Sequence, residues 1–203
     1  MKKSLLFCVL FYCIASAANA QNYRLWATYY GGSGLDAGYN LTTDIAGNVY
    51  LTGQTESVSG IATAGAHQLT SGGGGTDAYL VKFDGAGNRL WATYYGGSGS
   101  DYGFGVKVDG AGNVYMTGYT SSTDSIASPG SYQTTMNGTT DAFIVKFNAS
   151  GVRLWGSYYG GVFFVQGMNI AFDATNNVYL AGYTVSTTNI ASPGAFQTTY
   201  GGG

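Results

Sequence analysis

The chain has 203 residues, of which 34 are Gly and 18 Tyr, and only 9% carry charge. Its formal net charge of −2 and the want of any Lys/Arg cluster exclude a phosphate-neutralising surface, so nucleic acid is not an expected partner. A chain this rich in Gly and Tyr and this poor in charge is either disordered or built from many short strands, and the order of the residues decides between the two.

The N-terminus reads as a targeting segment. Lys2 and Lys3 form a positive region, Leu5 to Ala15 is an apolar run too short to span a bilayer, and Ala18-Asn19-Ala20 is a small-x-small cleavage site before Gln21. Residues 1–20 are therefore expected to be a secretory signal peptide, and the mature chain a secreted or cell-surface protein. Cys8 and Cys13 both fall inside that segment. Bulky Phe11-Tyr12 before Cys13 disfavours a lipoprotein anchor. The exported chain then has no disulfide, and its core and sheets must hold it together. Losing Lys2 and Lys3 moves the net charge to −4.

From Arg24 onward the sequence repeats itself. Arg24 to Gly34 reads RLWATYYGGSG, Arg89 to Gly99 is identical, and the third copy from Arg153 reads RLWGSYYGGVF. Trp26, Trp91 and Trp155 are 65 and 64 residues apart, and Asp44/Asp109/Asp173, Gly53/Gly118/Gly182 and Gln68/Gln133/Gln197 keep the same period. A fixed period of this length is the signature of a tandem-repeat architecture.

Each repeat holds four strand candidates. The first alternates apolar and polar residues (Tyr39 to Thr43, Phe104 to Val108, Met168 to Phe172), as a half-buried strand does. The second is β-branched and aromatic (Val49 to Thr52, Val114 to Thr117, Val178 to Ala181). The third is DAYLVKF (Asp77 to Phe83) and DAFIVKF (Asp141 to Phe147), and the fourth Arg89 to Tyr95 and Arg153 to Tyr159. Tight turns join strands one and two (Asp44 to Asn48, Asp109 to Asn113, Asp173 to Asn177) and strands three and four (Asp84 to Asn88, Asn148 to Gly151). The leading Asp or Asn accepts hydrogen bonds from its own turn, and the late Gly or Asn supplies positive φ.

Four short antiparallel strands in tandem predict an all-β fold, a β-propeller of four-stranded blades of about 65 residues. The expected boundaries are a closing strand at 24–30, blades at 39–95 and 104–159, and a partial blade at 168–203. QTTYGGG at the end aligns with the stretch just before DAYLVKF and DAFIVKF. Closed propellers have about four to eight blades, so a fragment, or a chain needing further blades or other chains, is expected.

The combination W-x-x-Y-Y-G-G, G-x-D-x-G, D-x-x-G-N-V-Y-x-x-G and D-A-[FY]-x-V-K-F resembles the bacterial beta-propeller repeat family SBBP over about Tyr23 to Gly203. The resemblance implies a secreted or surface-exposed propeller embedded in larger bacterial proteins, and no shared catalytic residues. One departure stands out. Asp36 and Asp101 close the GGSGxD link in repeats one and two, but repeat three has Val165.

The turns share one face of the blades. The GGSGxD links and the long loops (Glu56 to Thr76, Ser121 to Thr140, Val185 to Gly203) share the other, where a ligand is to be sought. The candidate binding residues there are Asp36, Asp101, Glu56, His67 and Tyr132. His67, the only His, is matched by Tyr132 and Phe196, so the position calls for a flat ring and reads as packing. Glu56 with Asp36 or Asp77 could make a carboxylate pair, but the spacing does not favour it. Asp77 and Asp141 read as turn-bonding residues at the start of strand three. Lys82 and Lys146 pair with an Asp or snorkel, and the three Trp pack between blades. No catalytic residue, cofactor or metal site is expected. The best functional reading is an exported non-enzymatic scaffold that binds a protein or glycan through the long-loop face. The alternatives are a polysaccharide hydrolase or lyase with its catalytic residues in other blades, and a structural spacer.

Overall fold

The computed structural model describes residues 25–202. The signal-peptide reading for 1–20 and Arg24 of the closing strand lie outside them. The described residues form ten strands and no helix. They are β1 (Asp36–Thr43), β2 (Val49–Thr55), β3 (Asp77–Phe83), β4 (Arg89–Tyr95), β5 (Asp101–Val108), β6 (Val114–Thr120), β7 (Asp141–Phe147), β8 (Arg153–Tyr159), β9 (Val165–Phe172) and β10 (Val178–Thr184). They make antiparallel sheets β1-β2-β3-β4, β5-β6-β7-β8 and β10-β9, none of them closed on itself.

The first two sheets are four-stranded and antiparallel, as the fold class requires. The first strand of each repeat begins three residues before the alternating pattern, because the link's Asp already pairs: Asp36 with Thr55 and Asp101 with Thr120. Every strand-one/strand-two ladder carries a bulge at the same place, leaving Tyr39, Phe104 and Met168 outside the register. A bulge adds twist and re-aims the side chain. β1, β5 and β9 lie beside one another, so the first strands are the innermost.

The turns behave as their sequence requires. Asp44 Oδ1 accepts from Ala46 N at 3.0 Å and Asn48 N at 2.9 Å, while Asn48 Nδ2 donates to Oδ2 at 2.7 Å. Asp84, Asp109 and Asp173 repeat this pattern. Gly47 and Gly112 sit at φ 80° and 81°, and Asn176 takes the same station at 64°.

Packing between blades is where the core lies. β3 is buried along its whole length. Ala78 and Leu80 join Tyr50 and Tyr95 in one cluster with Val106, Met116, Phe143 and Phe147 of the second blade. Tyr79, Val81 and Phe83 turn the other way and are covered by Trp26 and Tyr30. Residues 26–32 form no ladder with the described strands. Their side chains nevertheless hold the station of a fourth strand. Tyr30 donates to Ile61 O at 2.9 Å, as Tyr95 does to Ile126 O at 2.8 Å and Tyr159 to Ile190 O at 2.7 Å. A Cβ on Gly87 would meet Trp26 at 2.9 Å, and one on Gly151 would meet Trp91 at the same distance.

Candidate functional site

The long-loop face is built by three links, 31–35, 96–100 and 160–164, running beneath the long loops. Its polar chemistry is spent on holding those segments together. Asp36 accepts from Gly32 N at 2.8 Å, from Ser57 Oγ at 3.0 Å and from Thr55 Oγ1. Ser57 Oγ in turn accepts from Gly34 N at 2.8 Å. The second repeat copies the clasp, with Asp101 accepting from Gly97 N at 2.9 Å and Ser122 Oγ at 2.7 Å. In the third, buried Val165 fills the space with a side chain that cannot accept.

Asp77 and Asp141 make a second tier. Asp77 accepts from Ser71 Oγ and Gly72 N, and Asp141 from Gln133 Nε2 at 2.8 Å and Asn137 N at 2.9 Å. The repeated glutamines complete the tier: Gly96 N donates to Gln68 Oε1 at 3.1 Å and Gly160 N to Gln133 Oε1 at 3.0 Å. Their shared period was the sequence signal for this role.

Two of these carboxylates face each other. A Cβ on Gly96 would lie 2.2 Å from Asp77 Oδ1 and 2.5 Å from Asp101 Oδ2, so only Gly fits between them. Both groups are fully buried. Burial, only partly offset by the Thr120, Ser122 and Gly97 hydrogen bonds, pushes Asp101 up to about 6, and burial also raises Asp77. Asp36 sits in the other link's clasp, and Glu56 is exposed with its backbone N bonded to Leu35 O at 2.8 Å. The structure thus pairs Asp77 with Asp101, a combination absent from the sequence expectations.

His67 is exposed, its ring 6.3 Å from Tyr95 of blade one and 5.9 Å from Phe147 of blade two. Desolvation first, and then the Arg153 charge, lower its pKa to about 4, so the imidazole is neutral at pH 7. Tyr132 takes the same station one blade on, 6.1 Å from Tyr159, yet is 83% exposed. The residue set Asp36, Asp101, Glu56, His67 and Tyr132 is therefore spread along the face and converges on no single point. Among the described residues no three acidic, His or Cys side chains are grouped to hold a metal.

Sequence reading missed a row of rings running over the first and second strands and the third link. Tyr39 stacks on Phe104 at 4.9 Å, Tyr102 on Tyr119 at 4.5 Å, and Phe164 bridges Tyr119 at 5.6 Å to Tyr183 at 6.0 Å. The repeat offered only a partial signal. Tyr39 and Phe104 share a register, but Tyr119 and Tyr183 match Gln54 in the first copy.

Repeated four-stranded antiparallel sheets packed face to face, with a first strand innermost and uniform turns at one end, define a β-propeller-type repeat protein. The family model described as SBBP, beta-propeller repeat, matches residues 25–58 and 90–124. It is also similar to an uncharacterized WD repeat-containing protein of Acanthamoeba polyphaga mimivirus, 25% identical over 190 residues. That match covers 78% of this chain and 13% of the relative's length.

Proposed function

We propose that this protein is an exported, non-enzymatic propeller scaffold that binds a protein or glycan partner through its long-loop face. The repeat-scaffold part rests on the family match and the WD-repeat relative. One observation carries the rest. The carboxylates of Asp36, Asp101 and Asp141 are engaged in holding link and loop, so they serve to rigidify a rim of long loops. A rigid rim lowers the ordering cost of binding an extended partner.

The sequence around Ala18-Asn19-Ala20 supports export, and a relative named for WD repeats favours a protein over a glycan as the partner. Crosslinking-mass spectrometry on the native secreted product tests both parts. The expected result is a mature N-terminus at Gln21 and crosslinks from a partner protein to 56–76 or 121–140. A retained Met1, or crosslinks confined to the turn face, would overturn the reading. A glycan array negative alongside positive crosslinks would settle the partner class as protein.

A further inference from the structure

Tyr102 and Tyr119 stand opposite one another in the β5–β6 register, between the Asp101–Thr120 and Gly103–Gly118 pairs. Directly opposed residues of an antiparallel ladder share a face, with Cβ atoms about 5 Å apart. Here the rings stack at 4.5 Å with 28° between their planes. Among the described residues the other Tyr–Tyr contacts are wider, 5.2 Å for Tyr30 with Tyr79 and 6.1 Å for Tyr132 with Tyr159. β5 lies between β1 and β9, so the pair has neighbours on both sides.

The pair belongs to one repeat alone. The same register holds Ala37 with Gln54 in the first repeat and Gln166 with Tyr183 in the third. Phe104 lies parallel to Tyr102 at 6.2 Å, and Tyr39 stacks on Phe104, so flanking rings hold the phenols in place. Both tyrosines are half-buried, which leaves an edge of each within reach of solvent. Burial first, and then the neighbouring Tyr102 phenol, raise the Tyr119 pKa, so the hydroxyl ends of the stack lie near each other. Stacked rings with their hydroxyl ends together place the carbons ortho to each hydroxyl against one another.

We propose that Tyr102 and Tyr119 form a modification site, at which one-electron oxidation joins the two rings into a dityrosine that staples β5 to β6. The oxidant is hydrogen peroxide, used through a haem peroxidase. Each phenol loses one electron from its ring and the proton from its hydroxyl. The two phenoxyl radicals then pair, forming one C–C bond between ortho carbons. The hydrogen on each of those carbons moves to the oxygen of its own ring, restoring both phenols, and the peroxide is reduced to two waters. Radicals held in contact couple before either meets another chain, because positioning replaces a bimolecular encounter. Both cysteines of the sequence, Cys8 and Cys13, precede the repeats, so the staple supplies a covalent tie that no disulfide makes within them. The site is separate from the long-loop face and does not depend on the function proposed for it.

The test treats the 203-residue chain, in dilute solution, with a haem peroxidase and hydrogen peroxide. The expected product is a monomer that has lost two hydrogen atoms and shows dityrosine fluorescence. Trypsin cuts at Lys107, between the two tyrosines, and should release their two peptides joined to each other. Tyr102→Phe and Tyr119→Phe keep the stacked rings, and each should lower the monomer's fluorescence at least about tenfold. Tyr39→Phe and Tyr132→Phe should leave it within about twofold, since neither residue belongs to the coupled pair. In the treated wild type, and not in treated Tyr102→Phe, the denaturant midpoint should rise. Indiscriminate surface oxidation would instead join chains through exposed tyrosines such as Tyr29. The proposal is overturned by a monomer without dityrosine, by a crosslink that maps to another pair, or by fluorescence that survives in either Phe variant of the pair.

Discussion

Asp101 illustrates how one buried carboxyl couples the face to pH. Its pKa rises from 3.8 to about 6, so the folded protein binds the proton more tightly than the unfolded chain does. The contribution is therefore fully favourable below about 4 and is lost as pH rises through 6. Asp101→Asn removes that dependence. The stability difference, wild type minus variant, should fall by up to about 3 kcal/mol between pH 4 and 6.5 and stay flat above. Denaturant melts of both proteins across that range check it. Hydrogen-bonded turn carboxylates such as Asp109 have lowered pKa values: burial, the largest single effect, raises that of Asp109, but the hydrogen bonds from Asn113 and Ala111 and the Lys146 charge together outweigh it. They act oppositely, losing stability as pH falls below the ordinary carboxylate range, so the difference curve is the decisive quantity and not either curve alone.

At the scale of the strand, the repeated Gly of strand two is a close-approach residue. A Cβ on Gly118 would fall 1.6 Å from Tyr102 O and 2.7 Å from Tyr102 C, and neither backbone atom can withdraw without breaking the β5–β6 ladder at its bulge. Gly118→Ala should cost about 3 kcal/mol or more. Gly110, in the next turn, has open space around its Cβ position and no positive φ. Gly110→Ala should be neutral to stabilising by about 0.4–1 kcal/mol. Chemical denaturation of the two variants side by side separates the close contact from a general intolerance of lost glycine.

At the scale of the 203-residue chain, burial is graded along the repeats. The first two blades share one core, to which Trp91 contributes with its ring on Gly151 and 6.3 Å from Tyr50. Trp155 holds the same repeat position and lines a groove beside Tyr179, which is 56% exposed. Trp91→Ala should cost about 3–5 kcal/mol and Trp155→Ala less than half of that, as thermal or denaturant midpoints will report. Exchange should follow the same gradient. Amides of Val178–Thr184 are expected to exchange at least a hundredfold faster than those of Val114–Thr120, because only the latter strand is paired on both sides.

Local and repeated features were legible from the residues alone. The period, the turn chemistry of Asp44, Asp109 and Asp173, and the order of four strands follow from patterns short enough for neighbouring atoms to enforce. Copying the pattern copies the structure. The early start of β1, β5 and β9 was not legible, because Asp36, Asp101 and Val165 join the ladder by pairing with Thr55, Thr120 and Thr184, some twenty residues away, whatever their side chain. Residues 26–30 keep the strand-four sequence without a strand-four ladder, since a ladder needs a neighbour and a motif does not contain one. The facing of Asp77 and Asp101 across Gly96, the ring row from Tyr39 to Tyr183, and the contrast between covered Tyr115 and uncovered Tyr179 belong to tertiary structure alone. Each depends on which blade packs against which. Identical residues in successive repeats meet different neighbours, and burial, pKa and exposure are set by the neighbour.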